Sequence, residues 1–433
     1  MRRPHAAALL LAALAAGGAA AQGAPGDTLP PPYGLTFARD GDGPLSGLLR
    51  LRDREADYRA AGPDSDAWSQ YAQVRAFAES FVGDHAAALR WFDAAAGAGP
   101  DSVGALPEGL RAVPAAAYVA ARAQTARVVM VNEVHHEASG RLLTLELLPL
   151  LYDRGFRYFA AETLNANDAA LGERGYPVDS SGVYSREPVF GALIREAARL
   201  GYTLVPYEME DGDGVEGDTL TYQQRRDYEQ ARHLAERTVE ADPDARVLVH
   251  AGYAHVNEAP TDRWSPMAHY FRQRTGIDPL TVSQTSVGEA SGPRFEHPDY
   301  RAADAAGLLG PRPVVLLLPD GRPFEPAERP VDLQVFRPRA GDAYGRPAWL
   351  AALPGRVPVR VDVPDCPRTC EVTVRRPGES PEAVPLDRVA TTGGPVTLYV
   401  PVEDSVIGVL DGRTGAPVPL PPWPAAPPPP RDR

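Results

Sequence analysis

Between residues 127 and 318 the sequence alternates short apolar runs with longer amphipathic ones, and this alternation restricts the fold more than any other feature. The short runs are RVVMVN (127–132), FRYFAAE (156–162), YTLVPYE (202–208), ARVLVHAG (245–252), PLTVSQ (279–284) and PVVLLLP (313–319). Each has the length of a buried strand and is rich in β-branched or aromatic residues. Between them lie RLLTLELLPLLYDRG, PVFGALIREAARLGY, LTYQQRRDYEQARHLAERTVE and SPMAHYFRQRTG, all of helical character. Gly155, Gly201 and Gly276 fall where helices should stop. The pattern predicts an α/β domain over 126–320, with a parallel sheet flanked by helices.

In an open parallel sheet, ligands bind outside the carboxyl ends of the strands. Here the first run delivers Glu133, His135 and His136, and the second delivers Glu162. The third delivers Glu208 and Glu210, the fourth His250 and His255, and the fifth Gln284. One His or Glu at such a place is usually a surface residue or a cap. Four successive ends bearing them predict a shared pocket. His and Glu together suit a divalent metal that activates water. They equally suit a metal-free general base, with an imidazole oriented by a carboxylate. No G-x-S-x-G elbow and no catalytic cysteine stands in this region, so water is the expected nucleophile.

The basic side chains exclude several classes. All 44 Lys and Arg are Arg, which rules out Schiff-base chemistry, Lys-held pyridoxal phosphate and a Walker-type phosphate loop. Against 57 Asp and Glu, the formal net charge is −13. Nucleic acid is therefore not an expected partner, since its phosphates call for a basic face.

Residues 1–22 read as a secretory signal peptide. Arg2 and Arg3 precede an apolar run over 6–16, and Ala19, Ala20 and Ala21 suit cleavage before Gln22. The expectation is a periplasmic or secreted protein with no membrane span in the mature chain. A Pro/Gly-rich linker over 23–44 leads to a helical cap over 45–125, where Val74, Phe77, Phe81, Ala88, Leu89 and Phe92 recur at helical spacing. Over 336–418, VPVRVDV, CEVTVRR and ATTGGPVTLYVPV predict a small antiparallel β domain, followed by a Pro-rich tail over 419–433. The two cysteines, Cys366 and Cys370, are expected to form a local disulfide across a hairpin loop, since exported proteins meet an oxidising compartment. The acidic stretch EMEDGDGVEGD (208–218) lacks the ligand spacing of an EF-hand and reads as a lid or a solvated loop.

The motifs N-E-V-H (132–135) and G-Y-A-H (252–255) resemble the paired G-x-x-H motifs of the Tiki/TraB, ChaN-like and erythromycin esterase-like superfamily, with Asn132 where the first Gly usually stands. The ETL after the second strand resembles that superfamily's strand-end Glu. The similarity covers roughly residues 125 to 285. By this resemblance His135 is base or ligand, Glu162 its carboxylate partner, His255 the second-motif His and Glu133 the acidic residue of the first motif. His135, Glu162 and His255 are then the candidate metal ligands. Arg226 stands where a family-like Arg binds an anionic substrate group, although a solvated helix charge explains it equally well. Glu208 and His250 are added as substrate-binding candidates by their strand-end positions alone. His136 is expected behind the site or on the surface.

Members of the superfamily include metal-dependent proteases, macrolide esterases and haem binders. Two functions remain open at this point. One is an exported hydrolase acting on an ester or amide of a small molecule or peptide, with or without a divalent metal. The other is a protein that binds haem or a metal without turnover. In either case Glu133, His135, Glu162 and His255 are expected to point into one cleft.

Overall fold

The protein is described from a computed structural model, over residues 29–37, 43–96, 104–214, 219–262, 264–326, 330–401 and 405–420. The signal-peptide assignment and residues 421–433 of the Pro-rich tail lie outside these residues.

Six parallel strands form one sheet: β1 (Val128–Glu133), β2 (Tyr158–Ala161), β3 (Thr203–Pro206), β4 (Val247–Gly252), β5 (Leu280–Ser283) and β6 (Leu333–Gln334). Their spatial order is β3-β2-β4-β1-β5-β6. Every residue of β1 and β4, the central pair, is buried. Both faces are covered, which is why these strands read as continuous apolar runs.

Strand alternation sorts the side chains between two cores. Val129, Val131, Leu248, Phe159 and Ala161 pack with helices Arg141–Tyr152 and Pro188–Leu200. Val128, Met130, Val247, Val249 and Ala160 pack with helices Tyr222–Arg237 and Met267–Thr275. The helix boundaries follow local chemistry. Glu187 caps the Phe190 amide with Pro188 in the first turn, and Gly201 ends that helix at φ 89°. Thr221 and Gln224 form a capping box at the start of Tyr222–Arg237.

The N-terminal helices Asp66–Phe81 and His85–Ala96 pair as the apolar spacing predicts, and Val74, Phe77, Phe81 and Ala88 are fully buried. The stretch read as a linker over 23–44 differs from expectation in its described part. Residues 32–37 form a helix whose Phe37 packs on Phe81 at 5.5 Å. Prolines start a helix as readily as they break one, and here Pro32 stands at its first position.

The run PVVLLLP is a strand but not a member of the parallel sheet. Val314–Leu317 pairs antiparallel with Arg111–Pro114, and the sixth place in the sheet goes to Leu333–Gln334. An apolar run reports burial, not partner, so composition alone could not separate these two outcomes. Among the described residues, no helix is long and apolar enough to cross a membrane.

The C-terminal region holds two small antiparallel sheets besides the short pairing of Asp342–Ala343 with Arg346–Pro347. Arg356–Val363 pairs with Gly394–Pro401, while Cys370–Arg375 lies between Asp387–Thr391 and Val406–Asp411. Val361, Val372, Leu398 and Val409 fill the core between them. Cys366 and Cys370 are disulfide-bonded. The bond does not close a hairpin: the strands on either side belong to different sheets, so it fixes the corner where the chain crosses between them. A loop this short removes little denatured-chain entropy, corresponding to about 2 kcal/mol. Replacing both cysteines by serine should lower the denaturation free energy by about that amount. Identical urea midpoints for the oxidised and fully reduced protein would refute this role.

Candidate active site

The carboxyl ends of β2, β4 and β1 lie side by side, with Ala161 level with His250 and Glu133 level with Gly252. Alternation then decides where each polar side chain goes. Glu133 continues the row of Val129 and Val131, and His250 that of Leu248, so both enter the core beneath helix Arg141–Tyr152. Glu162 follows Ala160 and turns to the other face, toward helix Tyr222–Arg237.

Glu133 is the hub of the first group. Arg141 donates to it through Nε at 2.6 Å and Nη2 at 2.9 Å, and through Nη1 to Glu187 at 2.6 Å. All three side chains are at most 2% exposed. Burial opposes the charge of Glu133, but Arg141, His135 and His250 outweigh it and hold the carboxyl well below the usual carboxylate range. Its Oε1 accepts from His135 Nδ1 at 2.9 Å and its Oε2 from His250 Nε2 at 3.1 Å. The charged carboxylate fixes both tautomers. His135 keeps its proton on Nδ1 and presents Nε2 as a lone pair.

That Nε2 is buried, has no hydrogen-bond partner among the described residues, and faces Glu162 Oε1 at 3.9 Å. Tyr184 stacks on the His135 ring, with centroids 3.6 Å apart, and Phe77 meets it edge-on from the N-terminal helices. Glu162 also accepts from the Gly252 amide at 2.5 Å and from Arg226 Nη2 at 2.5 Å. Burial raises its pKa, yet Arg226, His255 and His135 bring the net value down to about 2. Gly252 is sterically required. A Cβ there would stand 2.5 Å from His135 Nε2 and 2.9 Å from Glu162 Oε2.

The second histidine has its own carboxylate. Asp227 Oδ1 accepts from His255 Nδ1 at 2.6 Å, and Asp227 is itself fixed by the Trp264 indole and the Met267 amide, both at 2.8 Å. His255 Nε2 lies 3.9 Å from Glu162 Oε1 and 3.0 Å from Arg226 Nη1. Burial disfavours its charged form, but Asp227 and Glu162 prevail and its pKa is raised above the ordinary histidine value. Arg226 closes the group, bonding Glu208 through Nε at 2.9 Å and Nη2 at 2.5 Å.

A cavity of about 600 Å³ opens onto this group, lined by Glu162, Arg226 and Glu208 together with Tyr33, Tyr184 and Tyr222. Of the four residues expected to share one cleft, Glu162 lines it. His135 and His255 lie directly behind Glu162, each 2% exposed. Glu133 does not face the cleft, because alternation turns it under Arg141. His250 does not line the cleft; it is 1% exposed, between Glu133 and Thr144. Glu208 lines the cleft with its carboxylate already engaged by Arg226 and Gln230. Arg226 lines it as expected, but as a buried ion-pair partner, not a solvated charge. His136 is buried, stacked on Phe92 at 3.8 Å.

Three contributors escaped the strand-end reading. Asn132 accepts from the Gln284 amide at 2.8 Å and donates to the Tyr253 carbonyl at 2.5 Å, steadying Tyr253 at φ 44°. Arg141 was visible as the basic residue opening a run of leucines. Asp227 was visible one residue after Arg226. Neither signal tells which strand end the side chain reaches.

Among the described residues, Asp213, Glu229 and His233 form a separate group with metal-ligand spacing. Arg232 already bridges its carboxylates, at 2.8 Å to Asp213 and 2.5 Å to Glu229. In the acidic stretch read as a lid or solvated loop, residues 215–218 lie outside the described residues.

No protein-family model and no curated protein matches the chain. Among solved structures it is similar to the haem-binding ChaN of Campylobacter jejuni, at 10% identity and TM-score 0.31, over 39% of this chain and 85% of that one. It is similar to the type III effector HopBA1 at 16% identity and TM-score 0.29, over 44% and 90%. It is also similar to the erythromycin esterase EreC at 15% identity and TM-score 0.20, over 69% and 68%. ChaN and erythromycin esterase are among the groups that the two strand-end motifs resemble. The chemistry of the site rests on its own geometry.

Neutralising Glu133 should leave Arg141 buried against Glu187 alone. Glu133→Gln is expected to cost about 3–5 kcal/mol, and removing the arginine as well, in Glu133→Gln/Arg141→Met, should return part of that loss. A single-variant shift near zero in denaturant titration would show the pair to be dispensable. The pH dependence carries a second expectation. With Glu162 at about 2 against an ordinary 4.5, its contribution to stability is complete above about pH 4.5 and lost as the pH falls toward 2. Glu162→Gln should flatten that part of the acid-unfolding curve.

Proposed function

We propose that this chain is a hydrolase that uses His135 to activate water against an ester or amide, without a metal. The observation that carries the reading is the unpartnered, buried Nε2 of His135, 3.9 Å from Glu162 Oε1, with Nδ1 held by ionised Glu133. The gap is too long for a direct hydrogen bond and suits a water bonded to both groups. His135 takes the water's proton on Nε2, and Glu133 stabilises the imidazolium that results. A carboxylate held at about 2 is a weak base. Glu162 is therefore assigned to orienting the water and Arg226, not to abstracting the proton.

Arg226 presents a guanidinium on the cleft wall, where it can stabilise negative charge developing on a carbonyl oxygen. A substrate that draws Arg226 forward uncovers His255 Nε2. The uncovered Nε2 takes up a proton from solvent and, with Asp227 holding Nδ1, passes it to the leaving group. The candidate metal ligands fit a metal poorly in this arrangement. Glu162 Oε1 and His255 Nε2 both face the Arg226 guanidinium, which leaves His135 Nε2 as the one open donor of the three. A divalent ion there would also meet the arginine's charge at close range.

The cleft's mixed lining of tyrosines, carboxylates and one arginine supports a polar small molecule or a short peptide as substrate. The reading includes export to the periplasm or cell exterior, in keeping with the sequence of residues 1–22 and with a disulfide that an oxidising compartment would preserve.

Against a panel of esters and peptides, His135→Ala should lose about 10²–10⁴-fold in kcat/KM with the fold intact. Chelator treatment should leave turnover unchanged. Activity should fall at high pH as His255, whose pKa is raised, loses its proton. Since Asp227 raises the His255 pKa, Asp227→Asn should move the alkaline limb to lower pH. Full activity in His135→Ala would remove the hydrolase reading of this pocket and favour a binding protein. Stoichiometric metal whose removal abolishes turnover would overturn the metal-free mechanism.

A further inference from the structure

The cleft at Glu162 carries a charge imbalance that the hydrolytic step does not use. Among the described residues, four carboxylates line it, Glu162, Glu208, Glu210 and Asp211, against one cation, Arg226. Their pairing decides what is left over. Glu162 and Glu208 share the single guanidinium of Arg226, so one of these two charges is unmatched. Glu210 is met from outside the cleft by Arg237 at 2.5 Å. Asp211 is exposed and has no salt-bridge partner among the described residues. His255, behind the wall, is matched by Asp227 at 2.6 Å whenever it is protonated. Arg186 also bears on the cleft's Tyr33, but it stands outside the lining and donates to the backbone carbonyls of Asp179 and Phe37. Negative charge is therefore in excess, at the pair of Glu162 and Glu208 and at Asp211.

The excess adjoins two aromatic rings. Tyr33 and Tyr222 line the same cleft, and both are half-buried. Among the described residues no cation stands over either ring, and neither hydroxyl has a hydrogen-bond partner. Tyr184, by contrast, has one face taken by the His135 ring. Burial raises the pKa of both open tyrosines, that of Tyr33 to about 12. Arg226 opposes the rise at each, Glu208 adds to it at each, and Asp211 adds to it at Tyr222. Both phenols stay neutral, within the field of the same carboxylates. A neutral aromatic ring with an open face attracts a cation through its π electrons, and carboxylates nearby strengthen the attraction. Arg226 repels a cation from the Glu162 carboxylate that it covers. Asp211 and Glu208, whose side chain is 31% exposed, draw one toward the tyrosines.

We infer that this cleft selects substrates bearing a positively charged amine beside the scissile ester or amide, with the ammonium seated among Tyr33, Tyr222, Glu208 and Asp211. The carbonyl then falls to Arg226 and His135, and the charge at the far end of the substrate sets its direction in the cleft. A cavity of about 600 Å³ has room for both groups. That the cation belongs to a substrate rests on the hydrolase reading; the cation subsite itself stands without it.

The test is calorimetric titration of the full, disulfide-bonded protein with benzyltrimethylammonium, benzyl alcohol and benzoate at constant ionic strength. Saturable binding of the cation is expected with Kd on the order of 1 mM or tighter. The neutral and anionic probes should bind at least about tenfold more weakly. Tyr222→Leu should weaken cation binding by about tenfold, and Asp211→Asn by about threefold, because an exposed charge is screened. Tyr33→Leu provides a second ring variant if Tyr222→Leu does not fold. His135→Ala should lose turnover and still bind the cation, which separates failure of the hydrolase reading from failure of this one. In kinetics, kcat/KM for acetylcholine should exceed that for dimethylbutyl acetate, in which carbon replaces the charged nitrogen, by about tenfold. Asp211→Asn should shrink that ratio. Cation binding with turnover of neither ester supports the subsite and counts against the hydrolase reading alone. Absence of saturable cation binding to the wild-type protein overturns the inference, as does equal binding of benzyl alcohol or equal turnover of the two esters.

Discussion

The buried pair of Glu133 and Arg141 is the constraint on which the rest of the site depends. A charged carboxylate in the middle of an apolar core is costly unless it is paired and fully bonded. Glu133 meets that condition with four donors: two from Arg141, one from His135 and one from His250. Each donor is fixed in turn. The end of β1 is tied to the start of helix Arg141–Tyr152, the His135 tautomer is set, and His250 is locked between Glu133 and Thr144. Arg141 also donates to the His135 carbonyl at 3.1 Å, so one guanidinium controls both the backbone and the orienting carboxylate of that histidine. The role is positional: Glu133 never reaches the cleft, yet the lone pair on His135 Nε2 exists because of it.

The period-two geometry of strands explains why residues clustered in sequence do not act together in space. Glu133 and Asn132 are neighbours, but one enters the core under helix Arg141–Tyr152 and the other ties the ends of β1, β4 and β5. His250 and Glu162 face opposite sides of the same sheet edge, although the Glu162 amide bonds the His250 carbonyl at 3.1 Å. Only where the strands have ended, at His135, Glu162 and His255, do the two sides meet. The absence of a side chain at Gly252 is what lets them approach.

Much of this could be read from the sequence. Five of the six strands of the sheet, its parallel sense and the convergence of Glu162, His135 and His255 follow from apolar runs that end in charged residues. Three things could not be read there. Leu333–Gln334 is too short to carry a period, so the longer and more apolar Val314–Leu317 took its place in the expectation. The face on which Glu133 and His250 lie was implicit in their parity with Val131 and Leu248, but strand-end position alone treats all such residues alike. The partners Arg141 and Asp227 sit on helices, and their reach depends on how those helices dock. Local pattern gives the elements and their termini, while docking gives the hydrogen bonds.

The charge balance of the two groups bears on chemistry more directly than the fold does. Around Arg141 stand two carboxylates, Glu133 and Glu187. Around Arg226 stand Glu162 and Glu208, with Asp227 behind His255. Each arginine is outnumbered, and each excess of negative charge adjoins a histidine. An imidazole in such a place gains a proton more readily than burial alone would allow. At His255 this raises the resting affinity for a proton. Both histidines nonetheless lie 3.9 Å from the same oxygen of Glu162.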